Sequence, residues 1–549
     1  MNKSMTRREM LKWVGKATVA GALAPYVSMA QHRKASIKNR IGVVVGDTVA
    51  EQVGQKIFAD GGNAIDAAVG AALATCVTSP SRCGIGGYGG HMIIGLAGGK
   101  KIIAIDYNSM APAAAKEDMY PLDEKGEVKE RANFHGWLAT GVPGTMAGFE
   151  LALKRYGTKS LRELLQPAIE FARDGFPLAA GQAMAIRGAQ ARFRSDPGSA
   201  KVYLKDGQPI KTGEMLRNPE LAELLSTLAE RNSVDSFYRG DIGERIAAAI
   251  QKNGGLVTAD DMGAYRAREV EPLQLSWNGF TVFTAPLTAG GLTVLEELAI
   301  LKALNWHKLQ PGPSTTHARL EALRLAWKDR LELLGDPEKA KVPLARLLSN
   351  GYAREQAKRI RAAVKAGKPL EIRIQYRSAD GTTNLSAVDR HGNMIAMTFT
   401  HGGGFGAQVT VEGLGLTLGH GMSRFIPRPG HPNSPGPHKR PLHNMCPSLV
   451  TQKGAPLMAV GAAGGVKIPN TIFDILTGFV GARKTLEQAM AARRWHCMGR
   501  QEVALESGWP EAEAAYLNKL GFKVSSGSGA NASAVSFDSR SGECIGESR

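Results

Sequence analysis

The segment Asp380-Gly381-Thr382-Thr383-Asn384 places a hydroxyl directly behind a glycine, at the start of a β-prone stretch. Glycine tolerates strained backbone, and a threonine hydroxyl that attacks its own preceding carbonyl turns an amide into an ester that water then cleaves. The product is a new N-terminal threonine. Its free α-amino group can act as the base for its own hydroxyl, so no separate His or Asp is required. Residues 382–388 and 394–400 are both β-prone, and the turn formers Asp389-Arg390-His391-Gly392-Asn393 lie between them, which predicts a hairpin. Pairing Val388 with Met394 sets Thr382 opposite Thr400, close enough for two hydroxyls to interact. An acyl intermediate also needs backbone N–H groups facing its oxyanion. Gly461-Ala462-Ala463-Gly464-Gly465, after a strand predicted over 456–460, offers them without a side chain in the way.

Other chemistry is less well supported. Gly84-Ile85-Gly86-Gly87-Tyr88-Gly89 matches G-x-G-x-x-G, but a helix precedes it and the strand-like Met92-Ile93-Ile94 follows, the reverse of a dinucleotide turn. It reads as a tight core turn. No G-x-S-x-G elbow, H-E-x-x-H helix or P-loop is present, which removes serine-hydrolase, zincin and NTPase readings. His401, His420 and His443 are the histidines that could converge, but scattered loop histidines are usually structural, and no metal or cofactor is expected. Cys76, Cys83, Cys446, Cys497 and Cys544 form no C-x-x-C pair; buried thiols are expected for most, with a Cys76–Cys83 disulfide open in an oxidising compartment.

The elements that position these groups follow from periodicity. A short strand is predicted over 41–45, and an Ala-rich helix opens after Gly61-Gly62-Asn63, with Asn63 as N-cap and Ile65, Val69, Leu73 and Cys76 on one face. Residues 140–370 are helix-rich, including helices over 161–173 and 218–231. The Gly/Pro-rich stretch 424–441 excludes regular secondary structure and reads as a long ordered loop covering a site. With 549 residues the chain exceeds one ordinary core, so two intimately packed halves or two domains are expected. Apolar residues at 43% and charged residues at 21% exclude a disordered chain.

The net charge of +18 comes without Arg/Lys runs interleaved with aromatics, so it fits a solvated surface or anionic substrates before nucleic acid. At the N-terminus Arg7-Arg8, an apolar stretch over 17–24 and Ser28-Met29-Ala30 have the order of a Tat export signal, so residues 1–30 are set apart from the fold. No apolar run reaches the length of a membrane span.

From about Gly42 onward the chain resembles the gamma-glutamyltransferase family. Asp60-Gly61-Gly62-Asn63-Ala64-Ile65-Asp66-Ala67-Ala68, Gly141-Val142-Pro143-Gly144-Thr145, Gly254-Gly255-Leu256-Val257-Thr258 and Thr382-Thr383-Asn384 through Ser386-Ala387-Val388-Asp389 carry the resemblance. It implies an α+β fold, the αββα sandwich of Ntn hydrolases. It also implies autocleavage between Gly381 and Thr382 into a large subunit (31–381) and a small catalytic one (382–549), which stay together as a heterodimer. Thr382 is then the nucleophile, Thr400 its support, Gly464 and Gly465 the oxyanion hole, and the loop over about 425–438 the lid.

The residues that grip a glutamyl group in that family differ here. The resemblance places Asn108, Gly402, Gly421, Arg424, His443 and Asn444 at those positions. An Arg where the family has an anionic partner for an ammonium turns attraction into repulsion, of order a few kcal/mol in a partly buried site. Retained chemistry with a shifted acyl specificity is expected, towards a carboxylate-bearing acyl group without an α-amine, with Arg424, Lys467 and His443 as anion contacts. A glutaryl- or cephalosporin-acylase-like enzyme and a non-catalytic envelope-binding descendant are the alternatives.

Overall fold

A computed structural model describes residues 36–98, 101–374 and 382–549. Gly381 and residues 1–30, read above as an export signal, lie outside the described residues. The two central sheets take their first strands from Ile37–Asn39 (β1), Gly42–Val45 (β2), Gly89–Leu96 (β3), Lys101–Asn108 (β4), Arg268–Val270 (β5), Leu273–Trp277 (β6) and Phe280–Thr284 (β7). The rest are Thr383–Asp389 (β8), Met394–Thr400 (β9), Ser448–Gln452 (β10), Ala455–Ala463 (β11), Asn531–Asp538 (β12) and Glu543–Ser548 (β13).

The six-stranded sheet has the order β2-β8-β9-β3-β4-β5, and the seven-stranded sheet the order β1-β13-β12-β11-β10-β7-β6. Each sheet therefore mixes strands from before and after Thr382. A cut at that point would leave two fragments joined by continuous hydrogen-bond ladders, which explains how cleaved pieces would stay together.

The sheets pack face to face through Val43, Val45, Ile93, Val388, Met394, Ala396, Leu449, Ala459 and Val535. Helices cover both outer faces. Thr48–Ala59 (α1), Ala64–Thr78 (α2) and Thr145–Tyr156 (α3) lie with the six-stranded sheet, while Gly291–Ala303 (α4), Pro313–Leu333 (α5) and Ile468–Leu476 (α6) lie with the other. The result is the expected α+β sandwich of four layers, αββα. Every residue of α2 is buried, which its alanines allow, because small side chains let a helix approach both a sheet and its neighbours closely. Asn63 caps it as predicted: its side chain accepts from the N–H of Ile65 and Asp66, and Asp66 reaches back to the N–H of Asn63 at 2.8 Å.

The β8–β9 hairpin has the predicted register, from Val388 opposite Met394 to Thr383 opposite Phe399. Asp389 organises its turn, with its carboxylate accepting the N–H groups of His391 and Asn393. The Gly84–Gly89 turn leads into β3, as anticipated. The helices read over 161–173 and 218–231 appear as Leu161–Asp174 and Pro219–Arg231, the second capped by Asn218. All five cysteines are buried and free. Among the described residues no helix is long and apolar enough to cross a membrane.

Candidate active site

Thr382 immediately precedes β8 of the hairpin and is 7% exposed. The β8–β9 register, continued by one residue, sets it opposite Thr400. The Thr400 hydroxyl donates to the carbonyl of Arg82 (3.2 Å) and accepts the N–H of Gly402 (2.7 Å). A hydroxyl has one proton to give, so these contacts fix its orientation. One residue into β8 from Thr383, Asn384 is locked across the sandwich. With its amide oriented to satisfy both ends, it donates to Met397 and Thr398 at 2.9 and 2.7 Å and accepts from Ser533.

The glycine turn approaches from the opposite sheet. A Cβ at Gly461 would lie 2.0 Å from the Asn384 side chain, so β11 passes directly over the start of β8. Three residues further on, Gly464 and Gly465 have φ of +148° and +59°, and a Cβ at Gly464 would meet that of Ala530 at 2.9 Å. Only glycine fits this path. The turn then runs through a single 3-10 turn, Gly465–Lys467, into α6, so its N–H groups lie at the positive end of a helix.

The predicted recognition residues separate into two groups. Gly402 and Arg424 lie in the stretch that follows Thr400, and Gly402 bonds the Thr400 hydroxyl. A Cβ on Gly402 would strike the His420 ring, whose Nε2 accepts the N–H of Gly403 and whose Nδ1–H therefore points to Ser423 Oγ. Burial depresses the pKa of His420 far below its usual value, and that of His401 to about 3. Both rings are neutral structural struts. Arg424 follows Ser423 in a short 3-10 turn, with its guanidinium 5.9 Å from the Tyr88 ring. Ser423 and Arg424 open onto a cavity of about 780 Å³.

Asn108, His443 and Asn444 instead enter a buried network. Met445 N–H donates to His443 Nδ1, which puts the proton on Nε2, facing His91 Nδ1 at 2.8 Å; His91 Nε2 then faces Asp106 at 3.2 Å. Burial lowers His91 to about 4 and His443 well below its ordinary value, so both are neutral. Burial alone would raise the Asp106 carboxyl, but Arg440, His91 and Arg268 together hold it low. Asn108 donates to Thr288 and to the Pro441 carbonyl, both at 2.7 Å, and Arg440 and Tyr265 both donate to its own carbonyl. The His443 ring, expected as an anion contact, is taken up by this chain, and Lys467 Nζ bonds Ser528 at 3.1 Å.

The segment over 425–441 lines part of the cavity and is tied down at several points. Asn433 bridges the Arg424 carbonyl and the Leu442 N–H, His431 donates to Leu331, and Arg440 is held by Asp106 and Asp336. One functional candidate was not read from the sequence. Arg330, in α5, is 4% exposed, lines the cavity beside Arg424, and donates from Nη2 to the His443 carbonyl and Asn444 Oδ1. Its only sequence signal is a charge on the buried face of a helix.

The model of the gamma-glutamyltranspeptidase family matches residues 50–549. The chain belongs to the gamma-glutamyltranspeptidase family. A glutathione hydrolase proenzyme of Pseudomonas sp. (strain A14) is 36% identical over 83% of this chain and 81% of its own length. The acylase ACY 1 proenzyme of Pseudomonas sp. (strain SE83) is 34% identical over 90% of this chain and 88% of its own. Among solved structures, a cephalosporin acylase from Bacillus halodurans superposes with a TM-score of 0.84 at 26% identity, covering 96% of this chain and 97% of that one. In this gamma-glutamyltranspeptidase family member, the hairpin bearing Thr382 and Thr400 and the strand leading to the Gly464-Gly465 turn belong to the two facing sheets.

Proposed function

We propose that this family member is a self-processing threonine amidohydrolase of gamma-glutamyltransferase type. The Thr382 hydroxyl attacks the Gly381 carbonyl, the peptide becomes an ester, and water releases Thr382 as a new N-terminus. The freed α-amine then takes the Oγ proton as Oγ bonds to the carbonyl carbon of an amide substrate such as a γ-glutamyl compound. The oxyanion is stabilised by N–H groups at Gly464 and Gly465, the C–N bond breaks, and the amine leaves with the proton. Water or an acceptor amine finally takes the acyl group from Thr382.

The observation that carries this reading is the placement of Thr382 opposite a Thr400 whose hydroxyl is fixed by Arg82 and Gly402. The sequence order at the N-terminus supports export through the Tat pathway to the periplasm, and the interleaved sheets support a stable heterodimer of 31–381 and 382–549.

A second reading keeps the chemistry and changes the acyl group, as in a glutaryl- or cephalosporin-type acylase. Arg424 at the cavity favours it, since a cation there repels a substrate ammonium. The test is turnover of γ-glutamyl and glutaryl anilides by wild type beside Thr382→Ala. Release of the aniline from either substrate, abolished in the variant, supports the function; turnover undiminished in Thr382→Ala refutes it.

A further inference from the structure

The space between the two sheets changes character along β8 and β9. Val388, Met394 and Ala396 share an apolar layer with Ala459 and Val535 of the facing sheet. Side chains alternate along a strand, so Ser386, Asn384 and, with the register continued by one residue, Thr382 follow Val388 on the same inner face, while Thr398 and Thr400 follow Ala396. The layer next to the Thr382–Thr400 pair is therefore a polar one, made by Asn384 and Thr398, which stand opposite each other.

That layer is clasped to the facing sheet. Ser533, in β12, gives its hydroxyl proton to the Asn384 amide oxygen at 2.5 Å, and the Asn384 nitrogen donates to the Thr398 hydroxyl at 2.7 Å and to the Met397 carbonyl at 2.9 Å. Ser386 donates separately to the Ser533 carbonyl at 3.0 Å. The side chains of Ser386, Asn384, Thr398 and Ser533 are all buried, and a satisfied polar network in a low-dielectric interior is rigid. Ser533 also pairs with Gly461 across the β11–β12 ladder, and Gly461 is where an added Cβ would come within 2.0 Å of the Asn384 amide. The glycine gives the amide its seat, and the neighbouring serine holds it there.

The clasp stands between the apolar layer and the reacting groups. β8 leaves that layer at Val388 towards its N-terminal end, and β11 leaves it at Ala459 towards its C-terminal end. The two strands meet the clasp at Asn384 and Gly461. Two residues beyond it, about 7 Å at the rise of a strand, come Thr382 on one sheet and Ala463 on the other, and the Gly464-Gly465 turn follows at once. An oxyanion donor acts only within hydrogen-bond reach of the developing charge, so slack of about 1 Å between the sheets at this end is costly.

We propose that Ser533 is a positioning residue, whose bond to Asn384 fixes the distance between the strand that follows the nucleophile and the strand that ends at the oxyanion turn. This rests on the amidohydrolase reading above. The Ser533 hydroxyl acts through Asn384 and takes no part in proton transfer.

The test compares Ser533→Ala, Ser533→Cys and Ser386→Ala with wild type, as purified full-length chains, in fragment appearance, turnover of γ-glutamyl and glutaryl anilides, and thermal unfolding. Ser533→Ala frees the Asn384 amide, and kcat is expected to fall at least about tenfold with KM changed by less than about twofold, because the geometry lost is that of the transition state. Ser533→Cys fills the same space with a weaker donor, and its kcat is expected between those of Ser533→Ala and wild type. Ser386→Ala removes a buried hydroxyl bond to the Ser533 carbonyl but leaves the Asn384 amide held, so it lowers the unfolding midpoint while kcat stays within about twofold of wild type. Wild-type kcat in Ser533→Ala or, where that chain does not fold, in Ser533→Cys overturns the proposal. So does a kcat that falls equally in Ser533→Ala and Ser386→Ala, the mark of a hydroxyl that only stabilises the fold. A wild type that neither cuts itself nor hydrolyses either anilide refutes the amidohydrolase reading, and the proposal falls with it.

Discussion

The Thr400 hydroxyl accepts the backbone N–H of Gly402 at 2.7 Å, which ties the residue facing Thr382 to the loop that follows β9. In the proposed mechanism Thr400 orients Thr382 and, through the same hydroxyl, anchors the turn at Gly402. Thr400→Val keeps the β-branched shape and removes both functions. It is expected to slow self-processing at least about tenfold and to cost about 1–3 kcal/mol of stability through the orphaned Gly402 N–H, while Thr400→Ser restores processing. A time course of fragment appearance, with thermal unfolding of each variant, measures both effects.

Gly464→Ala adds a methyl group 2.9 Å from the Ala530 Cβ at a φ that alanine rarely adopts. The turn must shift, and its N–H groups with it. Turnover is expected to fall by about 10²–10³, the usual consequence of losing one oxyanion donor. KM is expected to change far less than kcat, because the lost contact is made in the transition state.

The buried histidines make the fold acid-sensitive. His91, lowered to about 4, and His401, lowered to about 3, are neutral in the folded protein but titrate near 6.5 once unfolded. Between those values the unfolded chain binds protons that the native state refuses, so stability is full above pH 6.5 and is lost as pH falls towards 4. Each such histidine costs on the order of 1.4 kcal/mol per pH unit over that window. The unfolding midpoint is expected to drop steadily from pH 7 to pH 5; a midpoint unchanged over that range would contradict the neutral assignment.

Asp106 neutralises Arg268 and Arg440 inside the protein, and Arg440 in turn holds the covering segment against Asn108. Asp106→Asn leaves two guanidiniums without their shared acceptor. A loss of about 3–5 kcal/mol is expected, read as a lower denaturant midpoint. Protease nicking within 425–441 is expected to accelerate in the same variant.

The parts of this molecule that sequence reveals are the local ones. The hairpin is legible because five turn formers separate two runs of β period, which determines the register and therefore which residue faces Thr400. The α2 helix is legible because Asn63, Asp66 and an apolar face at helical spacing are all local. What was hidden is non-local. His91 and His443 are 352 residues apart in the chain, and nothing in either neighbourhood announces that their rings meet. That meeting removes His443 from the anion contacts that charge alone suggested. Arg330 was hidden for a related reason: its helix carries His317, Glu321, Arg324 and Asp329 on buried faces as well, so charge no longer marks the solvent side. Periodicity finds elements; the pairing of buried charges is written only in the packing.

The central claim is that Thr382 is released by cleavage of its own chain and then acts as nucleophile. Intact mass spectrometry of the purified protein, wild type beside Thr382→Ala, tests it directly. The account predicts two wild-type fragments meeting between Gly381 and Thr382, and one uncut chain in the variant. A wild-type chain that stays whole, or a variant that is cut at the same bond, would contradict it.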